Sequence, residues 1–372
     1  MLRSKVSYFA AWKTGETVIT GQSMSKESIN YTYSHGLTNG RLEAEHISAW
    51  RNNGFTLVHD LLPKSLLQAL KQDAVDFYPE SGTAAAEHFN NFGSGQKFVF
   101  PADSAACNAV TMHPLLLQAV ADLLGVAIAE LRLTQSDLWP KYGGQHSDDD
   151  HNNTDQRIHC DYPNHSLVHP PAWESPEAVE IILYLDNYEA CEGATAVVPR
   201  EGPEDPAYSW PIVQTPGVAG LDYVNDRSKA EAYMAEHNPE AAVFRQEQLY
   251  AREVVAGFQF GSVLFYRHDT WHRGRPVKPG TRRLVQNLTF TKAGCDWLNV
   301  LHPGWSWSMY RRDKLMEKLI AEASVEQRAI LGFPPPGHAY WTPQTFAAVQ
   351  ARYHAYGIDM SPYRAGLARD SD

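Results

Sequence analysis

A turn running straight into a strand is written in Pro279-Gly280-Thr281-Arg282-Arg283-Leu284-Val285-Gln286-Asn287-Leu288-Thr289-Phe290. Proline and glycine favour the turn, and the β-branched and aromatic residues after it suit a pleated, half-buried surface. The same composition, bounded by Gly, Pro, Asn and Asp, recurs upstream. Strands are expected at Glu130–Trp139, Arg157–Asp161, Ala178–Asp186, Ala194–Pro199, Phe258–Arg267 and Arg283–Thr291. Short strands separated by turn signals predict an antiparallel sandwich or barrel, not alternating βαβ units.

Helices flank this block. From Arg41 the pattern is helical through Leu42, His46, Ile47 and Trp50, and it stops at Asn52-Asn53-Gly54. Phe55-Thr56-Leu57-Val58 reads as a strand. Leu61-Leu62-Pro63 opens a second helix carrying Leu66, Leu67 and Leu70, and a third covers Pro114 to Leu124, stopped by Gly125. A long insertion, 202–252, holds a helix at Ser228–His237 and reads as a lid or binding loop. Beyond the strands, Met309 to Ile330 is helical. Gly332-Phe333-Pro334-Pro335-Pro336-Gly337 is a rigid connector, and a last helix is expected near Pro343–Tyr356.

The chain has 372 residues, 43% hydrophobic and 20% charged, which is the composition of a folded protein. Its 32 Lys+Arg against 43 Asp+Glu give a net charge of -11, which argues against a general phosphate-backbone binder. Cys107, Cys160, Cys191 and Cys295 form no CxxC pair, so neither a zinc ribbon nor a disulfide framework is written here. The first twenty residues lack a signal-peptide apolar core, and no apolar run approaches the ~18 residues of a membrane helix. A cytoplasmic protein with no nucleic-acid partner and no membrane span is expected.

Arg157-Ile158-His159-Cys160-Asp161 carries the sharpest chemical signal. On a strand, His159 and Asp161 share a face and Cys160 points the other way. Alone, the pair reads as a hydrogen-bonded His–Asp at a strand end. Leu264-Phe265-Tyr266-Arg267-His268-Asp269-Thr270-Trp271-His272-Arg273-Gly274 is an apolar strand entering a polar turn. Either His268 or His272, added to His159 and Asp161, completes a two-histidine, one-carboxylate triad of the kind that binds non-heme iron and leaves positions open for substrate and oxygen. Arg282 or Arg283, at the start of the next strand, can grip a carboxylate with two prongs, while the other sits on the surface.

In this order the motifs resemble the phytanoyl-CoA dioxygenase family of Fe(II)/2-oxoglutarate-dependent oxygenases. The likeness includes Trp50-Arg51-Asn52-Asn53-Gly54-Phe55-Thr56-Leu57-Val58-His59-Asp60-Leu61-Leu62-Pro63 and Cys191-Glu192-Gly193-Ala194-Thr195-Ala196-Val197-Val198-Pro199. It covers roughly Arg41 to Phe290, outside the insertion. The resemblance implies a mainly β fold with flanking helices, built on a double-stranded β-helix (jelly-roll, cupin-like) core. It implies one catalytic domain, with an N-terminal extension (1–40), a core (41–297) and a helical C-terminal extension (298–372). It also implies iron held by His159, Asp161 and His272, with 2-oxoglutarate bound by Arg283, eleven residues after His272. Arg282 stays open for that role, because a shorter loop moves it back by one and strand alternation alone does not choose. The implied reaction is O2-dependent hydroxylation of a small organic molecule, with release of succinate and CO2. Related halogenases replace the carboxylate with a small residue, whereas Asp161 is kept here. One departure is Gly274, where many members carry Ser.

Other polar clusters have blander readings. His146-Ser147-Asp148-Asp149-Asp150-His151 reads as a solvated turn, and His165 and His169 as loop-stabilising. Trp173 is a candidate for the pocket wall. Two other functions fit the same motifs: a zinc or manganese hydrolase or isomerase on a jelly roll, and a binding protein that keeps the fold without catalysis.

Overall fold

The computed structural model describes residues 32–33, 37–89, 96–144, 153–209, 215–295, 313–364 and 367. Its strands are β1 (Thr32–Tyr33), β2 (Leu37–Thr38), β3 (Arg41–Leu42), β4 (Phe55–Val58), β5 (Leu131–Tyr142), β6 (Ala178–Tyr184), β7 (Thr195–Val197), β8 (Val254–Val255), β9 (Val263–Arg267), β10 (His272–Gly274) and β11 (Arg282–Lys292). A six-stranded sheet has the order β1-β4-β9-β6-β11-β5, and a three-stranded sheet has the order β10-β7-β8. Apart from the parallel β1–β4 pair, the pairings in these two sheets are antiparallel. The β11 strand lies between β6 and the edge strand β5, running against β5 from Arg282↔Tyr142 to Lys292↔Leu131 and against β6 from Val285↔Tyr184 to Thr291↔Ala178.

Strand alternation divides the larger sheet into two faces. Val179, Ile181 and Leu183 of β6 and Leu284, Leu288 and Phe290 of β11 bury into one core with the helices α1 (Ala44–Asn53), α2 (Lys64–Phe77), α3 (Ala105–Thr111) and α4 (Pro114–Leu124). Each buried leucine there contributes about 1.5–3 kcal/mol. Ile182 and Tyr184 of β6 and Val285 of β11 point the opposite way and pack with Ala194 and Val197, so a second core lies between the sheets. The α1 helix stops at Gly54, whose left-handed φ of 96° lets its N–H cap the Trp50 carbonyl. A side chain at Gly54 would also meet the Thr270 hydroxyl at 2.7 Å.

Most expected strands and helices form, with three corrections. Arg41–Leu42 pairs with Leu37–Thr38 as a strand, and the helix begins only at Ala44. Asp122 draws Arg41 and Leu42 out of the helix, accepting from Arg41 Nε at 2.6 Å and from the Leu42 amide at 3.0 Å. Arg157–Asp161 makes a single isolated bridge, His159↔His272, with another, Gln156↔Asp226, just before it, and no continuous strand. Its other backbone groups are claimed by the insertion: Arg157 N–H donates to Asn225 O, Ile158 N–H to the Tyr250 hydroxyl, and Arg245 donates to Ile158 O. The stretch expected to be helical up to Ile330 is two helices, Leu315–Glu322 and Val325–Ile330, because Ser324 caps a new start. Met309–Arg312 lies outside the described residues. The helix Pro343–Tyr353 sends Arg352 and Tyr353 to the carbonyls of Pro163, Ser166 and Leu167, which pins the loop after Asp161, and a short helix, Ser361–Arg364, follows it. No helix among the described residues is long and apolar enough to cross a membrane.

Candidate metal centre

Backbone pairing brings the two outer ligands of the expected triad together. His159 N–H donates to His272 O at 2.9 Å, and His272 N–H returns to His159 O at 2.8 Å. Such a cross-strand pair turns both side chains to one face, and the two rings lie 4.5 Å apart between centroids. Asp161 completes the group. Its Oδ1 is 3.6 Å from His159 Nε2 and its Oδ2 is 3.4 Å from His272 Nε2. Ligand-capable atoms of all three residues lie within 4.8 Å of one another.

Each histidine is held in the tautomer that a metal needs. His159 Nδ1–H donates to the Arg157 carbonyl and His272 Nδ1–H to the Thr270 carbonyl, both at 3.0 Å. A carbonyl can only accept, so the proton sits on Nδ1 and the Nε2 lone pair faces Asp161. The Tyr266 hydroxyl donates to Asp161 Oδ2 at 2.7 Å and orients the carboxylate. Burial pushes the His159 imidazole well below its usual range, with His272 and Arg157 adding to it. Burial pushes the Asp161 carboxyl up, but His272, His159, His165 and the Tyr266 hydroxyl outweigh it and hold the group ionised. Two imidazoles presenting Nε2 and one carboxylate fit a divalent transition metal with open positions.

Arg283 and Lys141 stand opposite each other in the β11–β5 register, so both face the space between the sheets. They are 5% and 1% exposed, and no carboxylate among the described residues forms an ion pair with either. Arg283 donates through Nη1 to Gly193 O, and its Nε has no partner. Lys141 Nζ donates to Arg275 O at 2.9 Å. Burial holds the Lys141 ammonium well below its usual range, with Arg283 and Arg273 adding to the effect against Asp155. Arg282 lies on the other face of β11, where Nη1 donates to the carbonyls of Tyr78 and Pro79.

Gly274 lies between the triad and this cation pair. A side chain there would meet Gln156 Oε1 at 2.6 Å and Lys141 Nζ at 3.2 Å. In this chain the ends of the Lys141 and Gln156 side chains fill the space beside Gly274.

His268, the alternative to His272, lies 3.5 Å from Glu180. His165 joins it, with ring centroids 5.5 Å apart. Trp173 packs between guanidinium groups, 3.5 Å from Arg267 and 4.3 Å from Arg200, and donates to Arg51 O. Cys160 faces away from the triad and donates to Asp269 O. The stretch His146–His151 lies outside the described residues. Lys141, Tyr266 and Glu180 were not singled out as functional from the sequence. Strand alternation was the available signal for Lys141, which shares a face with Trp139, but the partner strand that makes this face interior is not written locally.

No protein-family model matches the chain, and no curated protein matches it. Among solved structures the chain is similar to EvdO2 from Micromonospora carbonacea var. aurantiaca, with a TM-score of 0.47 and 13% identity over 68% of this chain and 91% of that one. It is also similar to EvdO2 from the same source complexed with 2-oxoglutarate, with a TM-score of 0.46 and 14% identity over the same shares. A third is the non-heme alpha ketoglutarate dependent carbocyclase SnoK from nogalamycin biosynthesis, with a TM-score of 0.45 and 13% identity over 69% of this chain and 87% of that one. These likenesses are distant, and the reading of the site rests on its own residues.

Proposed function

We propose that the protein is an Fe(II)/2-oxoglutarate-dependent dioxygenase of the phytanoyl-CoA dioxygenase type, with its two sheets forming a double-stranded β-helix, that hydroxylates a small organic molecule. The overall reaction is substrate C–H plus 2-oxoglutarate plus O2, giving substrate C–OH plus succinate plus CO2. His159 Nε2, His272 Nε2 and Asp161 hold the metal, which supplies the oxygen-activating chemistry when bound. The Arg157 and Thr270 carbonyls fix the two rings, and Tyr266 fixes the carboxylate. Arg283 pairs with the distal carboxylate of 2-oxoglutarate, and Lys141 beside it adds a second hydrogen-bond donor.

The observation that carries this reading is an Nε2-directed triad whose His272 lies on the same short strand as Gly274, against which Lys141 Nζ stands, with the buried Arg283 guanidinium opposite Lys141 and neither in an ion pair with a carboxylate among the described residues. A zinc hydrolase using the same triad has no use for such a pair, and a dicarboxylate cosubstrate does. The test is anaerobic addition of 2-oxoglutarate to the Fe(II)-loaded protein. A visible metal-to-ligand charge-transfer band should appear, followed by succinate release when oxygen and substrate are admitted. Folded, iron-loaded protein that shows no band at saturating 2-oxoglutarate would overturn the proposal.

A further inference from the structure

His165, Glu180 and His268 form a second histidine–carboxylate cluster that the proposed iron centre does not use. They arrive from three elements: His165 from the short helix Tyr162–His165, Glu180 from β6, and His268 from the turn after β9. All three are buried, and their ligand-capable atoms lie within 4.8 Å of one another. Glu180 Oε1 and His268 Nε2 are 3.5 Å apart, yet neither has a hydrogen-bond partner. The other carboxylate oxygen of Glu180 accepts from the Thr289 hydroxyl.

A buried donor or acceptor left unsatisfied costs about 1–3 kcal/mol, and a buried charge costs more. Here a carboxylate oxygen and an imidazole nitrogen are both left so, facing each other. A proton shared between them would bring the two atoms into hydrogen-bond contact, whereas they stand 3.5 Å apart without that geometry. The separation suits a shared metal. Two ligands at about 2.0–2.2 Å on a tetrahedral zinc ion stand roughly 3.4 Å from each other. Two histidines and one glutamate are also an established zinc donor set, with one position left open.

We infer that His165, Glu180 and His268 bind a second divalent cation of the zinc class, separate from the one held by His159, Asp161 and His272. Glu180 stands directly opposite Tyr266 in the β6–β9 register, and Tyr266 donates to Asp161, so the two centres adjoin across that tyrosine. His268 also lines a small cavity of about 10 Å³ with Ser166, Pro170 and Ala178.

The test is metal stoichiometry on the full-length apo-protein, titrated with Zn(II) under equilibrium dialysis and with Co(II) followed by its visible absorption. Wild type should bind at least two equivalents. Glu180→Gln, and separately His268→Gln, should each lose one equivalent and keep the Fe(II)–2-oxoglutarate charge-transfer band. The double variant His159→Ala, Asp161→Ala should still bind at the second cluster, so this readout survives if the iron assignment fails. Wild type binding a single equivalent, or both Glu180→Gln and His268→Gln binding as much metal as wild type, would overturn the inference. Anomalous diffraction at the zinc edge from zinc-soaked wild-type crystals needs no variant. A peak within bonding distance of Glu180 and His268 is expected, and its absence would count equally against the second centre.

Discussion

The two faces of β11 are built from neighbouring residues and do different work. On one face Leu284, Leu288 and Phe290 pack under the helices, and Arg282 is spent on the carbonyls of Tyr78 and Pro79. On the other face Arg283 points between the sheets, Val285 packs there, and Thr289 donates to Glu180. One residue of register separates a guanidinium that ties a helix end to the sheet from one with a buried nitrogen left without a partner. The difference teaches that the chemistry is set by the face and not by the residue type. An arginine is an anion clamp here only where the sheet turns it inward beside Lys141.

The largest effect should come from the metal triad at the end of this interior face. Asp161→Ala and His272→Ala each remove a ligand. Losing even an outer partner of a metal ligand typically costs 10–100-fold, so 2-oxoglutarate-dependent succinate formation should fall by at least ~100-fold. Both variants should still fold, because the His159–His272 pairing is carried by backbone groups. Full activity in both would move the metal elsewhere.

The arginine pair breaks or sharpens the comparison directly. Arg283→Ala removes a charged hydrogen-bond donor, worth about 1.5–3 kcal/mol, and should raise the KM for 2-oxoglutarate roughly 10- to 100-fold. Arg282→Ala should change that KM less than about twofold, since its bonds go to backbone carbonyls on the helical side. Steady-state kinetics with varied 2-oxoglutarate decides between them, and equal effects would erase the distinction between the faces. Leu288→Ala tests the opposite corner. A fully buried leucine cut to alanine costs roughly 2–5 kcal/mol of stability. Denaturant unfolding should register that loss while the KM for 2-oxoglutarate stays at the wild-type value.

How legible these faces were in the sequence follows from how local each signal is. The β11 strand was readable because turn, arginines and apolar run are contiguous. His159 and Asp161 were readable because two residues on an extended chain share a side. His268 against His272 was not decidable locally, since the choice is made when His272 pairs with His159 across the sheet. Lys141 and Glu180 were missed for a related reason. A lone lysine after Trp139-Pro140, or a lone glutamate inside Ala178-Val179-Glu180-Ile181-Ile182, reads as a solvent-facing position until the partner strands cover it. The insertion reads as a lid or binding loop, and its Arg245, Tyr250 and Asn225 also hold the edge of the His159 segment.

The last expected effect lies on the same interior face and concerns pH. Asp137 stands opposite Asn287 in the β5–β11 register, on the face shared with Trp139 and Lys141. Burial pushes its carboxyl up to about 7, with the Gln135 amide pulling weakly the other way. The folded state therefore keeps a proton that the unfolded chain, with a pKa near ~3.9, has already lost. Such a group contributes stability fully below about pH 4 and loses that contribution as pH rises through about 7. Asp137→Asn carries no charge and escapes the loss. It should be more stable than wild type at pH 8, by up to about 4 kcal/mol for a carboxyl raised by about three pH units, and the gain should shrink steadily toward pH 4.5. Thermal melts of both proteins across that range measure it. A gain that stays constant with pH would mean that Asp137 is ionised and solvated, and that this part of the interior face is wetter than the end that holds Arg283 and Lys141.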